Sequence, residues 1–213
     1  HIVETRLSQH LAQHFSIFSD VRLRASEKIR DFLQVLPKQY HFSRLKVLDL
    51  EGCKCVGTKN TSYLKDVCCN LLLLKYLNLR STNVTQLPGE INRLHELEVL
   101  DIRHNNVHKT ATGYLRPLKL KRLLAGCIDD PTLPSVELPE KIGKMEGMEV
   151  LLGVMPRHKK DLKRGFPVCL RKLGVVINKD SYLQPLLKAI DDLHENLRSL
   201  SITLPIVRGE ATP

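Results

Sequence analysis

Tryptophan is absent from the 213 residues, and Phe, Trp and Tyr together make up only 5% of them. A core so poor in rings is not a sandwich built around buried aromatics. It has to be filled with aliphatic side chains, and a hydrophobic content of 42% supplies them. No apolar run approaches the length that spans a bilayer; the strongest is Leu71–Leu74. No signal peptide stands at the start of this stretch, but the chain starts at His1, without Met, as a fragment would, so a targeting segment cut away upstream stays open.

Catalytic signatures are also missing. There is no GxxxxGK[ST] phosphate loop and no Gly-x-Ser-x-Gly elbow. Asp191, Asp192 and Glu195 fall on the polar side of an expected helix and read as surface charge. No cofactor is expected in this stretch, and an enzyme is disfavoured because no constellation of residues meets the criteria for a site. Six cysteines, at 53, 55, 68, 69, 127 and 169, are scattered through aliphatic segments. Cys53-x-Cys55 and Cys68-Cys69 lack the paired spacing that brings four ligands around zinc, so no metal is expected. Scattered thiols of this kind read as reduced, which places the protein in the cytoplasm. The sequons at Asn60 and Asn83 carry little weight against that reading.

What is present is a repeat. The frame Leu-x-x-Leu-x-Leu occurs at 45/48/50, 74/77/79 and, with Ile102 as the third member, 97/100/102. Weaker copies follow: Leu120/Leu123/Ala125, Met148/Leu151/Gly153, Leu170/Leu173/Val175 and Leu197/Leu200/Ile202. Successive frames are 29, 23, 23, 28, 22 and 27 residues apart, within the leucine-rich period. The alternation within each frame is that of a short strand with one buried face. Leu64, Val67 and Leu71, then Leu87, Ile91 and Leu94, are the apolar anchors expected in the returning halves of two coils. Cys53, Thr82 and Asn105 stand in register at the turn after the strand, where a small side chain can bond the backbone. Leu87-Pro88 and Leu138-Pro139 end the turn segments. A helix is expected over 183–193, with Leu183, Leu186, Leu187, Ile190 and Leu193 on one face and Pro185 in its first turn.

The predicted fold is therefore an α/β leucine-rich-repeat solenoid (a horseshoe), with a parallel concave sheet and an irregular or helical convex side. Residues 41–213 form the irregular repeats. Residues 1–40 are expected to be degenerate N-terminal repeats or a junction to an upstream module, with Val21 and Leu23 marking a strand and Ile29, Phe32 and Leu33 a helix. The final frame lacks a return segment and a capping unit, so the stack is expected to continue beyond Pro213.

The residues between the leucines point to the concave face and are the candidate partner-binding set: Tyr76, Asn78, Arg80, Asp101, Arg103, His104, Arg122, Leu124 and Leu152. Early coils add Asp49 and Glu51; later ones add Val154, Met155 and Val176. Val47, Tyr76, Val99 and Val150 form another row, broken by Arg122. Two readings of the later coils stand: an exposed apolar contact area, or core residues in a shifted register. The charged residues read equally as a solvated face. His104 and His108 read as solvated histidines. The net charge of +10 is concentrated in a basic cluster of Arg157, His158, Lys159, Lys160, Lys163 and Arg164, joined by Arg171 and Lys172. Without interleaved aromatics, nucleic acid is a poor candidate ligand for it. An acidic protein surface and a solvated insertion loop remain.

Several strings resemble plant nucleotide-binding leucine-rich-repeat receptors. They are Leu45-Lys46-Val47-Leu48-Asp49-Leu50-Glu51-Gly52-Cys53, Leu74-Lys75-Tyr76-Leu77-Asn78-Leu79-Arg80, and Thr82-Asn83-Val84-Thr85-Gln86-Leu87-Pro88-Gly89-Glu90-Ile91. Leu123-Leu124-Ala125-Gly126 and Leu138-Pro139-Glu140-Lys141-Ile142-Gly143-Lys144-Met145 resemble the grass receptors of the coiled-coil class. The resemblance covers residues 45–204. It implies a domain that folds back on the receptor's own nucleotide-binding module to hold it inactive. It also implies that the repeats bind a pathogen effector or a guarded host protein, and that ATP or ADP belongs to an upstream module. The alternative is a leucine-rich adaptor or scaffold, such as a substrate-recruiting subunit of a ubiquitin ligase.

Overall fold

The computed structural model describes residues 13–16, 31, 32, 34–39, 42–56, 61–116, 119–127, 135–193 and 195–204. Among these, nine strands form one parallel sheet: β1 (His14–Ser16), β2 (Val47–Asp49), β3 (Tyr76–Asn78), β4 (Val99–Asp101), β5 (Arg122–Leu124), β6 (Val136–Glu137), β7 (Val150–Met155), β8 (Lys172–Val176) and β9 (Ser199–Thr203). They lie side by side in chain order, except that β5 and β6 share one side of β7. Leu48 pairs with Leu77, and Leu77 with Leu100, so the middle leucines of successive frames stack directly. Main-chain bonds tie each coil to the one before, as in Tyr76 N–H to Lys46 O at 3.0 Å and Val99 N–H to Lys75 O at 2.9 Å.

The interior is the aliphatic stack that the frames require. Leu45, Leu74, Leu97, Leu120, Met148 and Leu170 are wholly buried, as are Leu48, Leu77, Leu100, Leu123, Leu151 and Leu173. The turn after the strand is held by the position expected to do so. Asn105 is buried; its Oδ1 accepts from Thr82 N–H (2.9 Å) and Val84 N–H (3.2 Å), while Nδ2 donates to Leu79 O (2.7 Å) and Ile102 O (3.1 Å). Thr82 does a lighter version of the same job, its hydroxyl donating to Leu79 O at 2.6 Å. Buried main-chain groups at the turn are thereby satisfied without a regular ladder.

Coil length sets what crosses the convex side. The 29-residue coil holds helix α1 (Thr61–Asn70), which buries Leu64, Val67 and Cys68 ahead of Leu71. The two 23-residue coils have room only for 3-10 turns, Gly89–Arg93 and Lys109–Thr112. The 22-residue coil carries the single-turn helix α2 (Lys159–Lys163), and the 27-residue coil carries α3 (Leu183–Asp191). On α3 the buried face is Leu186, Ala189 and Ile190, followed by Leu193; Leu187, expected there, is 43% exposed. A register of 3.6 residues per turn rotates Leu187 off the stripe that Leu186 and Ile190 define.

Four positions depart from the sequence reading. The third core member of the fifth frame is Val154, not Gly153. Gly153 is an inserted residue with φ of +69°, and a Cβ there would overlap the Ala125 carbonyl, so only glycine fits. The register therefore slips by one between Leu151 and Val154, which answers the question of the later coils. Val154 is core, while Leu124, Met155 and Val176 stay half-buried on the face. The N-terminal strand lies at His14–Ser16, with Phe15 opposite Leu48. Its frame would be Ala12, Phe15 and Ile17, without leucine and 33 residues before the next, which hides it from a search for the leucine period. Val21, Leu23, Ile29 and Leu33 lie outside the described residues. β6, at Val136–Glu137, has no frame of its own and was not expected. Finally, Leu200 is 43% exposed, since no later coil covers β9 among the described residues.

Leu77→Asp would place an unpaired carboxylate in this stack. A loss of about 4 kcal/mol or more is expected, read as a collapse of the cooperative thermal transition. A melting profile equal to the parent's would contradict the packing described.

Candidate functional site: the concave sheet face

The pairing register aligns side chains from different coils into rows. The first row runs Val47, Tyr76, Val99, Arg122, Val150 and Lys172. Its valines and Tyr76 are half-buried, and Arg122 and Lys172 are exposed. Burial, with the Asp49 and Asp101 carboxylates close by, holds the Tyr76 phenol above its ordinary value, so it stays a neutral hydrogen-bond donor.

The second row runs Asp49, Asn78, Asp101, Leu124 and Leu152. Its first three members accept from the main-chain N–H two residues on: Asp49 from Glu51 (3.1 Å), Asn78 from Arg80 (2.9 Å) and Asp101 from Arg103 (3.0 Å). These short side chains shape the strand exit as local caps. Asn78 also donates to Asp49 Oδ1 at 3.0 Å. Asn78 and Asp101 are consequently buried, each 3% exposed, although their rows face the concave side.

Further along the exits, the charges neutralise one another. The Arg103 guanidinium grips Asp101 through Nε (3.0 Å) and Nη2 (2.6 Å), a two-point contact that raises the arginine's pKa. Arg80 reaches Glu51 at 3.6 Å and His104 Nε2 at 3.0 Å. A guanidinium only donates, so Nε2 accepts and the imidazole proton sits on Nδ1, which faces Cys127 Sγ at 3.1 Å. His104 is thus half-buried and bonded on both sides rather than solvated, whereas His108 is exposed. Exchanging Arg80 and Arg103 for glutamate is therefore expected to disturb these internal contacts as well as any contact with a partner. It sets a carboxylate beside Asp101 and another beside Glu51, and some loss of stability accompanies it.

The residues one step before each strand form a rim ladder. Glu98 lies between Lys121 (2.8 Å) and Lys75 (2.9 Å); two residues earlier in the same two coils, Glu96 pairs with Lys119. The hydrogen bonds from Lys121 and Lys75 hold the Glu98 carboxyl down to about 2. Sequence reading missed this ladder, although aligning Lys75, Glu98 and Lys121, the second positions of three successive frames, would have revealed the alternating signs.

The far half of the face is different in character. Leu124 is half-buried, and Leu152 is 8% exposed because it leans over Gly174, where a Cβ would lie 3.0 Å from its Cδ2. The basic cluster does not stay together. Arg157 pairs with Glu137 (2.7 Å) and Glu140 (3.5 Å), and Arg164 approaches Asp161 at 3.8 Å. Lys159, Lys160 and Lys163 are exposed on α2, which is a capped helix rather than a loop: the Arg157 and His158 N–H groups donate to Asp161. Lys172 belongs to β8 and the concave row, and Arg171 to the rim.

Among the described residues no three His, Cys, Asp or Glu side chains converge as a metal site would need. Cys53 and Cys68 are buried, and burial pushes the Cys68 thiol up to about 12, which leaves it unreactive. The Cys55 side chain lies outside the described residues. No helix among them is long and apolar enough to cross a membrane.

A parallel ladder over a shared aliphatic interior, with rows of outward side chains, defines a leucine-rich-repeat solenoid. Residues 22–210 match the family described as leucine-rich repeat region, and the chain belongs to that family. Similar curated proteins come from Oryza sativa subsp. japonica. Disease resistance protein Pik-2 is 30% identical over 105 residues, 49% of this chain and 10% of its own length. Disease resistance protein RGA4 is 46% identical over 66 residues, 31% of this chain and 6% of its own. Disease resistance protein Pik-1 is 42% identical over 62 residues, 29% and 5% respectively. The match thus spans a tenth or less of each relative. The resemblance to the repeat region of a plant resistance receptor is borne out by these relatives. Among solved structures, a leucine-rich-repeat protein of Leptospira interrogans matches with a TM-score of 0.42 and 19% identity, covering 78% of this chain and 52% of that one.

The depressed Glu98 carboxyl gives a pH signature. A carboxylate with a folded pKa near 2 against an ordinary 4.5 adds stability that is complete above 4.5 and is lost as the pH falls toward 2. Glu98→Gln is therefore expected to be less stable than the parent at pH 7, with the difference shrinking through that window in acid-unfolding curves. A constant difference from neutral to acid pH would contradict the ladder.

Proposed function

We propose that this chain is the recognition and autoinhibitory repeat region of an intracellular plant disease-resistance receptor. Its concave face takes a pathogen effector or a guarded host protein, and part of the same surface restrains the receptor's nucleotide-binding module until that partner arrives. The work is binding, not catalysis. Nucleotide chemistry is left to an upstream module, and cytoplasmic residence follows from that role. The observation that carries the reading is the set of aligned side-chain rows on the sheet face, within a chain whose matched relatives are disease resistance proteins. A rigid ladder holds the row spacing constant, so a partner can be read by which side chain stands in each row.

The transcript upstream of this region is expected to encode a GxxxxGK[ST] phosphate loop. The full-length receptor produced in leaf cells without residues 45–204 is then expected to trigger cell death with no pathogen present. An upstream ubiquitin-ligase-binding module in place of the phosphate loop would overturn the proposal in favour of the adaptor.

A further inference from the structure

We infer that this chain grips its protein partner on the far half of the concave face, around Val150 and Leu124, and that the partner presents two carboxylates astride an aliphatic side chain. The inference rests on the recognition role proposed above and specifies the chemistry of what is recognised.

The cations of this face divide by what they already hold. Arg80 and Arg103 already hold Glu51 and Asp101, so a partner would have to break those contacts to use them. Arg122, Arg171 and Lys172 are exposed, and none of them has an ion pair among the described residues. Arg122 and Lys172 stand in one row, on β5 and β8, with Val150 of β7 between them. Adjacent strands lie about 4.8 Å apart, so the two cations are about 10 Å apart across an apolar residue. Arg171 reinforces the β8 side from the rim.

The floor between the cations is aliphatic: Val150 and Leu124 are half-buried, with Leu152 seated beneath over Gly174. An α-helix crossing the strands meets this pattern, because residues i and i+7 are about 10 Å apart along its axis. Carboxylates at those positions would face Arg122 and Lys172, while aliphatic residues at i+3 and i+4 would cover Val150 and Leu124. Nucleic acid fits less well. Its phosphates would suit the cations, but the floor offers no ring on which a base could stack.

The test uses a helical peptide with Glu at i and i+7 and Leu at i+3 and i+4, its twin with Lys in place of Glu, and single-stranded oligothymidine. Each is titrated against the 213-residue chain by fluorescence anisotropy. The Glu peptide is expected to bind, more weakly as salt is raised, and the Lys twin is not. Arg122→Glu with Lys172→Glu is expected to weaken the Glu peptide at least tenfold and to create binding for the Lys twin. That exchange of preference also shows that the variant is folded. Four outcomes would overturn the inference: binding of both peptides alike, Glu-peptide binding unchanged in the double variant, oligothymidine as the ligand instead, or no peptide binding at all. The receptor reading would survive each of them, because the upstream phosphate loop decides it separately.

Discussion

Everything in this protein depends on one sharing arrangement: no coil can bury its own leucines, so each uses the next coil as its inner wall. Leu48, Leu77, Leu100, Leu123 and Leu151 stack through successive strands with no exposure. The main-chain ladder runs through the same residues, so apolar burial and backbone satisfaction are delivered by one geometry. An interior filled with leucine rather than aromatics suits this arrangement, because a thin layer between coils has room for branched aliphatics and little room for rings.

That constraint separates what can vary from what cannot. The convex side absorbs differences in coil length, from a ten-residue helix such as α1 to a short 3-10 segment, without disturbing the ladder. The concave rows must keep their spacing but are free in chemistry. In the first half of the face that freedom has been spent on mutual neutralisation: Asp101 with Arg103, Glu51 with Arg80, Asp49 with Asn78. Such pairs stiffen the strand exits and leave little net attraction for a ligand. In the second half the carboxylates of that row give way to Leu124 and Leu152, and Arg122 and Lys172 have no ion pair among the described residues. The two halves of one sheet thus differ in chemistry through composition alone.

The break in the sheet at β5, β6 and β7 shows how the ladder tolerates an irregular coil. Gly153 inserts one residue, Val154 takes the core place, and β6 supplies the pairing that β5 no longer reaches. The insertion bends the strand and re-aims the side chains after it, as bulges do. Leu152 and Met155 sit on either side of this bend, and Val150, which stands between Arg122 and Lys172, lies just before it on the same strand, so the irregularity lies where the face changes character.

The sequence alone determined the architecture, because the leucine period is a direct image of the coil and each frame can be read without knowing its neighbours. The strands at 48, 77 and 100, the Asn105 turn and the α3 helix all follow from spacing and side-chain type. Weak frames were the exception. Phe15 stands in for leucine at β1, and Gly153 holds a core position by count while Val154 holds it in space. Only the tertiary structure decided which charges are free. Arg103 and Arg122 look alike along the chain, but one is clamped by Asp101 and the other has no such partner among the described residues. The basic run divides in the same way, with Lys172 on the sheet and Lys160 on a convex helix. The physical reason is distance: an ion pair depends on a few ångströms between side chains, and across coils that separation is set by stacking rather than by sequence order.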